Sequence, residues 1–165
     1  MTESDLKSRI APVLGRVPSG VFILVAGDGC GRKTGLLTSW VQQASFEPPQ
    51  ITIAVNKSRY LIDWLSLGSR VTLNQLPKDD NSLFRHFGKG FEPDADAFDG
   101  ISVIPANNGL VALSSALATL EGSVCGVMDA GDHRILLVTL TDAIIHKDLS
   151  QSEPFVHVRK NGFGY

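Results

Sequence analysis

Most apolar residues of the chain fall into short runs that have the spacing of strands. Residues 51–55 read Ile-Thr-Ile-Ala-Val and alternate branched with smaller side chains, which predicts a strand with one buried face. Residues 21–26 (VFILVA) are wholly apolar and predict a strand that is buried on both faces. Further strands are predicted at 71–76, 101–104, 117–128, 134–145 and 155–159. The pattern therefore predicts a mainly β chain.

A glycine-rich segment follows the first apolar run. Gly27 to Thr34 reads GDGCGRKT. A phosphate-binding loop needs a glycine directly before its lysine and a helix directly after the motif. Arg32 precedes the lysine here, and the sequence that follows, GLLTSWV, has strand character. We therefore interpret the segment as a turn and predict that residues 21–26 and 34–44 form an antiparallel hairpin.

Helical spacing is confined to short segments. A capped N-terminal helix is predicted because apolar residues recur on one side of it, at Leu6, Ile10, Val13 and Leu14. Two more helices are predicted at 59–65 and 82–87, and a long loop rich in Gly, Pro and Asp at 89–100.

Strands outnumber helices, and the helices do not alternate regularly with them. A parallel doubly wound sheet needs that alternation, whereas a closed antiparallel barrel with short peripheral helices does not. The length of 165 residues suits one compact domain. We predict a single domain over residues 1–165, with a helical lead at 1–18 and a tail at 160–165.

Composition excludes several classes of protein. Hydrophobic residues make up 43% and charged residues 19% of the chain, which is typical of a globular domain. The formal net charge of -2 disfavours a nucleic-acid binder, since such proteins usually carry an excess of basic residues. No apolar run approaches the roughly 18 residues of a membrane span, and the polar start lacks the apolar core of a signal peptide. We therefore expect a cytoplasmic protein.

The candidate chemistry is concentrated around a break between two strands, at Pro48-Pro49. Hydroxyl groups (Thr38, Ser39, Ser45), the indole of Trp40 and two cations (Lys57, Arg59) lie near that break. Such a surface can hold a flat ring at one end and a phosphate at the other. The four histidines show no metal-ligand spacing, and there is no nucleophile motif. That fits a non-enzyme, or an enzyme whose cofactor does the chemistry.

Five short motifs carry a resemblance to a known family. They are Leu37-Thr38-Ser39-Trp40, Ser45-Phe46-Glu47-Pro48-Pro49, Ile51 to Val55, Asn56-Lys57-Ser58 and Gly131-Asp132-His133. In this order they resemble the flavin reductase-like family of FMN-binding split barrels. One branch is matched more closely, through GLLTSWVQQASFEPP, Leu73-Asn74, Phe84-Arg85-His86-Phe87, Val156 to Lys160 and the terminal Tyr165. These stretches resemble the C-terminal flavin reductase domain of the diflavin flavodiiron proteins of oxygenic phototrophs.

The resemblance implies a six-stranded antiparallel split barrel of the Greek-key type, assembled as a homodimer. It implies FMN as the flavin, with FAD as the second option, and NAD(P)H as the reductant. It assigns Leu37, Thr38, Ser39 and Trp40 to the wall along the flavin, and Ser45 to the ring or ribityl chain. Ser39, Lys57, Ser58 and Arg59 are the candidates for the phosphate, and Asn56, directly before Lys57, is also assigned to cofactor binding. His133 is assigned to the nicotinamide.

Two functions from different classes follow from the resemblance. The first is an NAD(P)H:flavin oxidoreductase that transfers a hydride to FMN and passes electrons to an acceptor, such as a flavodiiron oxygen-reducing core. The second is a non-catalytic FMN-binding module for electron relay or oligomerisation. Asp129-Ala130 favours the second, because some reductases carry Ser-Arg directly before Gly-Asp-His. A barrel that has lost its flavin is a third reading, and the hydroxyls at Thr38, Ser39 and Ser45 argue against it.

Overall fold

The computed structural model describes residues 2–164 and confirms that the chain is mainly β. Two α-helices and one 3-10 helix accompany the strands: α1 (Glu3–Gly15), the 3-10 helix (Tyr60–Trp64) and α2 (Ser82–Phe87). The strands are β1 (Ser19–Gly20), β2 (Phe22–Gly27), β3 (Lys33–Thr38), β4 (Val41–Ser45), β5 (Gln50–Asn56), β6 (Arg70–Gln75), β7 (Val103–Pro105), β8 (Val111–Leu113), β9 (Ala118–Ala130), β10 (His133–Ile145) and β11 (Val156–His157). No helix in this part of the chain is long and apolar enough to cross a membrane.

One large antiparallel sheet dominates the structure, in the order β3-β2-β6-β9-β10-β5-β4. Its two edge strands, β3 and β4, are consecutive in the chain and separated only by Ser39 and Trp40. The sheet therefore curves until its first and last strands meet at this two-residue link. The prediction of one strand at 34–44 was wrong, because the link divides this segment into β3 and β4. β3 pairs with β2 as predicted, but β4 pairs with β5, so the sheet has seven strands instead of six.

Other predicted elements differ from the structure mainly in length. The two long strands form the predicted hairpin, closed by a turn at Gly131 and Asp132. The predicted strand at 155–159 shrinks to β11, which pairs with β1, and the helix predicted at 59–65 is a 3-10 helix. The predicted helix at 82–87 is confirmed.

Two apolar clusters lie on opposite faces of β2. Leu24 belongs to the cluster inside the curved sheet, with Ile53 and Leu136, whereas Ile23 packs in an outer cluster with Phe87 of α2. This arrangement explains why residues 21–26 are apolar throughout, as the sequence predicted. The outer cluster fixes α2 against β3, next to the link between the edge strands.

The apolar side of α1 is not covered within the described residues. Val13 is 68% exposed, and Leu6 and Leu14 are exposed as well. The helix is held by backbone contacts to the C-terminal segment, where Gly162 N donates to Ala11 O (2.7 Å) and Arg159 N donates to Gly15 O (2.8 Å). A Cβ on Gly162 would lie 2.3 Å from the Cβ of Leu14, so glycine is required for this approach.

We expect Asn74 to be essential for the stability of the sheet. Its side chain is fully buried, donates to Ile23 O, and accepts from Leu113 N (2.9 Å) and the Thr119 hydroxyl (2.7 Å). Asn74→Ala should lower the unfolding free energy by about 2–4 kcal/mol, because each buried polar group left unsatisfied costs about 1–3 kcal/mol. Urea denaturation measures this, with Gln75→Ala on the same strand as the control. Equal losses in both variants would contradict the expectation.

Candidate functional site

A cavity of about 180 Å³ lies where the two edges of the sheet meet. Its walls come from β3, the Ser39-Trp40 link, β5, α2 and β11. Six of the residues predicted from the sequence to hold a cofactor line it: Leu37, Thr38, Ser39, Trp40, Asn56 and Arg59. The curvature of the sheet therefore brings residues of β3 and the link together with residues at the end of β5.

The link offers backbone groups and hydroxyls to this cavity because the pairing of the sheet lapses there. β3 ends at Thr38 and β4 begins at Val41, and neither strand pairs with the other. Among the described residues, one backbone bond joins the link to β5, from Ala54 N to Trp40 O (2.9 Å). Backbone groups at the edge of a sheet are outside the ladder on one side, where they can act as donors and acceptors for a polar ligand.

Trp40 is held by groups from two distant parts of the chain. The His133 ring lies 4.6 Å from it, centroid to centroid, and the Arg159 guanidinium lies 5.2 Å from its centroid. His133 is itself buried and bonds through Nδ1 to the Asp132 carboxylate (2.7 Å). That hydrogen bond holds the pKa of the Asp132 carboxyl below its usual range. His133 does not line the cavity and contacts its wall through Trp40.

The two cations predicted to bind the phosphate, Lys57 and Arg59, lie in different surroundings. A turn begins at Asn56, whose Oδ1 accepts from Ser58 N (2.9 Å) and whose carbonyl accepts from Arg59 N (3.0 Å). Arg59 lines the cavity, and within residues 2–164 its guanidinium has no hydrogen bond or ion pair. Lys57 instead lies 3.4 Å from the Asp129 carboxylate.

Asp129 joins Lys57 to the hairpin of β9 and β10. Its carboxylate also bonds to Arg134 Nε (3.2 Å), and Lys57 N donates to Asp132 O (2.9 Å). The hydrogen bond from Arg134 and the charge of Lys57 hold the pKa of the Asp129 carboxyl below its usual range. Lys57 therefore belongs to a charge cluster at the hairpin turn and does not line the cavity.

Two further predicted residues lie beside the cavity and not in it. Ser45 ends β4 opposite Gln50 and does not line the cavity. Ser58 lines a second cavity of about 310 Å³ that adjoins the first. The terminal Tyr165, part of the resemblance noted above, lies outside the described residues.

The sequence interpretation assigned no site role to α2, the start of the loop after it, or the last strand. Phe84, Phe87, Gly88 and Gly90 line the cavity, as does His157 of β11. The sequence signal for Phe84, Phe87 and His157 is their presence in the motifs Phe84 to Phe87 and Val156 to Lys160 of the resemblance, and Gly88 and Gly90 are in neither motif. Their place at the cavity depends on the outer apolar cluster, which packs Phe87 directly onto Gly35.

Comparison with known proteins identifies the class to which this fold and cavity belong. Residues 14–163 match the model of the flavin reductase like domain. The chain is therefore a member of the flavin reductase-like family, and the expected resemblance is confirmed. Among the described residues, no group of three or more His, Cys, Asp or Glu is placed to hold a metal ion.

A more particular similarity is to the diflavin flavoproteins of cyanobacteria. The chain is 38% identical over 162 residues to the diflavin flavoprotein A 1 of Synechocystis sp.. That match covers 98% of this chain but only 28% of the relative, so the chain spans little more than a quarter of the length of the curated relatives it matches.

Solved structures confirm the fold. The NADH:FAD oxidoreductase SgcE6 of Streptomyces globisporus superposes with a TM-score of 0.82 at 22% identity, over 96% of this chain and 92% of that one. The flavin reductase HpaC, solved with NADP+, superposes with a TM-score of 0.77 at 20% identity, over 96% and 95% of the two chains.

We expect Gly35 to keep the cavity open. A Cβ at this position would lie 2.4 Å from the Phe87 ring, so Gly35→Ala should push that ring into the cavity and weaken flavin binding by about tenfold or more. Gly126→Ala in β9 is the matched control, because its added Cβ would meet the Leu137 Cβ at 3.3 Å and it does not line the cavity. Flavin titration by fluorescence quenching measures both. Unchanged affinity in Gly35→Ala would mean that the ring moves away from the ligand.

Proposed function

We propose that this chain is an NAD(P)H-dependent flavin reductase domain whose flavin is FMN. The observation that carries the proposal is the cavity at the meeting edges of the sheet, with its apolar wall and hydroxyl-bearing link. The Arg59 guanidinium is among its lining residues and has no hydrogen bond or ion pair to any of the described residues. FMN has a matching division between a flat ring and a phosphate. When bound there, it would accept a hydride at N5 from C4 of the nicotinamide.

The residues of the cavity would bind and orient FMN without donating or accepting a proton. Leu37 and Trp40 would border the ring, and Thr38 and Ser39 would bond its polar edge through hydroxyl or backbone groups. Ser45 would reach the ring or the ribityl chain from the end of β4. Arg59 would bind the phosphate, since a guanidinium matches two phosphate oxygens at once. Lys57 and Ser58 stand on either side of that position and are the second candidates.

We assign the nicotinamide to the His133 side of Trp40. Asp132 fixes the His133 ring through Nδ1, so the ring has a set orientation next to the cavity wall. A nicotinamide needs a dry, stacked contact with the flavin, and aromatic side chains at the mouth exclude water from such a contact. His157 and Arg159 of the C-terminal segment border the same region.

We further propose a homodimer and an electron acceptor in a flavodiiron-type core. The exposed apolar side of α1, with Val13 and Leu14, provides a surface for a second copy.

The acceptor is suggested by the relatives, which are named diflavin flavoproteins and are more than three times as long as the matched segment. Electrons would then pass from the flavin of this domain to an acceptor in the same polypeptide.

A second function, an FMN-binding relay module that reacts slowly with pyridine nucleotides, is favoured by one observation. Asp129, just before the Gly131-Asp132-His133 turn, is engaged by Lys57 and Arg134. The Asp129 carboxylate therefore offsets one of these two positive charges, which would weaken the attraction for a dinucleotide phosphate at this turn. This module would hold FMN but receive its electrons from another protein.

Anaerobic reduction distinguishes the two functions. The purified chain, loaded with FMN and desalted, should retain the flavin absorbance band and lose it rapidly when NADH or NADPH is added. Stopped-flow absorbance gives the rate with each donor, with free FMN at the same concentration as the control. A retained band that does not bleach would support the relay module. No retained band and no turnover with excess FMN would contradict both functions.

The phosphate assignment predicts a difference between two neighbouring cations. Arg59→Gln should weaken the binding of FMN by about 1.5–3 kcal/mol, the value of a charge-assisted hydrogen bond. The affinity for riboflavin should stay unchanged, because riboflavin has no phosphate. Lys57→Gln is the matched control, since Lys57 is paired with Asp129 and should change FMN binding less. The double variant should resemble Arg59→Gln alone. A larger effect of Lys57→Gln would place the phosphate on the hairpin side of the turn.

A further inference from the structure

A third cavity, of about 490 Å³, lies at the opposite end of β2 and β3 from the proposed flavin site. The first cavity is lined by Val21, directly before β2, and by Thr38 at the end of β3, whereas the third is lined by Gly27 and Lys33. Each of these strands has six residues, so about 20 Å of strand separates the two cavities. The two cavities share no lining residue, and a ligand in the third would not touch the flavin.

Two walls of the third cavity are turns that are held by their own side chains. In the turn between β2 and β3, the Asp28 carboxylate accepts from Arg32 N (3.0 Å) and Arg32 Nε (2.7 Å). In the segment before β6, Ser69 Oγ accepts from Ser66 N (3.0 Å) and donates to Trp64 O (3.0 Å). Both turns therefore keep their shape without a ligand.

The third wall, the turn between β7 and β8, rests on a buried charge. Glu121 is 1% exposed, and its carboxylate oxygens accept from Asn107 N (3.0 Å) and Asn108 N (2.8 Å). The Asn108 side chain also donates to Val71 O (2.9 Å) and accepts from Leu110 N (3.1 Å). All three walls are thus fixed in advance, which lowers the conformational entropy lost when a ligand binds.

The lining of the third cavity is positively charged, although the chain as a whole has a net charge of -2. Its described residues include three cations, Arg32, Lys33 and Arg70, and two carboxylates, Asp28 and Asp63. Asp28 is paired with Arg32 (2.7 Å). Within residues 2–164, Lys33 has no ion pair or hydrogen bond, and Arg70 bonds only to a backbone carbonyl (2.8 Å). Two cations are therefore left to attract an anion, against the single carboxylate of Asp63.

The register of the sheet places these two cations on the same face and at the same level. Lys33 pairs with Gly27, and because Val71 pairs with Ala26, Arg70 lies opposite Gly27 on the other side of β2. Positions that lie opposite each other on neighbouring strands share a face. The backbones of Lys33 and Arg70 are two strand spacings apart, about 10 Å, with only a glycine between them. Their side chains can therefore hold the two ends of one anion.

The backbone of the turns is open to such a ligand. Gly31 and Gly68 line the third cavity with φ values of +105° and +84°, and a Cβ on either would meet no atom within 4 Å. An anion can approach main-chain amides closely at such glycines. The ring of Trp64, in the same lining, already has the Arg32 guanidinium over it at 5.5 Å. These features favour a small anion over an aromatic ligand.

We propose that the third cavity binds a small anion with two or more phosphate groups, held between Lys33 and Arg70. An ammonium and a guanidinium are the usual protein partners of phosphate, and a guanidinium can bond two phosphate oxygens at once. The binding site is separate from the flavin site and does not depend on the proposed function. Free pyrophosphate and the diphosphate of a nucleotide share this chemistry.

Isothermal titration calorimetry of the whole chain with inorganic pyrophosphate, at low ionic strength, tests the proposal. Lys33→Gln and Arg70→Gln should each weaken binding by about tenfold or more. Asp63→Asn should strengthen it by about twofold to fivefold, because the carboxylate repels the anion. Arg85→Gln is the matched control, since Arg85 is an exposed cation of α2 that lines none of the three cavities. Arg59→Gln tests whether the anion enters the first cavity instead, and neither control should change the affinity.

The outcomes separate this site from general charge attraction. Wild-type chain that binds no pyrophosphate, equal weakening by Arg85→Gln, or loss of binding in Arg59→Gln alone would overturn the proposal. Arg70→Gln also removes a bond to the turn between β7 and β8, so a normal melting temperature and the result for Lys33→Gln guard against misfolding. Binding of ADP more tightly than pyrophosphate would identify a nucleotide as the source of the phosphates, and weaker binding would identify the free anion. Pyrophosphate binding without flavin binding would reject the proposed function alone.

Discussion

The meeting of two sheet edges is the constraint on which the rest of this structure depends. β3 and β4 are the outermost strands of a seven-stranded sheet, and yet only Ser39 and Trp40 separate them in the chain. A sheet can satisfy both conditions only by curving until its edges meet. The two edges do not pair with each other, and residues of β3 and of the link line a cavity at the meeting point. The cavity thus follows from the topology of the sheet, and α2 and the start of the loop after it complete its wall.

A single turn directs the two cations of the site to different parts of the structure. Asn56 organises the three residues after it, so that Lys57 reaches the hairpin of β9 and β10 while Arg59 reaches the cavities. Lys57 is paired with Asp129, whereas the Arg59 guanidinium has no ion pair within residues 2–164. The same hairpin holds His133, which bonds to Asp132 and packs against Trp40. The turn of the hairpin therefore supports the wall of the cavity.

The alternation of side chains predicted most strands correctly because burial on one or both faces is a local property of a strand. It predicted 34–44 as one strand because Ser39 and Trp40 have strand-compatible side chains, and the break there is imposed by the closing of the sheet. The motifs around Thr38 and Arg59 indicated the right region. The separation of Lys57 from Arg59 could not be predicted, since Asp129 is more than 70 residues away. Likewise, spacing predicted α1 but not its exposed apolar side, because the helix docks through glycine contacts.

The open edges of β3 and β4 also bear on the solubility of this protein. An unpaired strand edge is a template for pairing with another chain, and most sheets must protect two of them with charges, prolines or bulges. Here both edge strands end at the Ser39-Trp40 link, and residues 36–40 line the ligand cavity. A ligand bound in this cavity would cover that part of the edge, so that ligand binding and protection against strand pairing would involve the same residues.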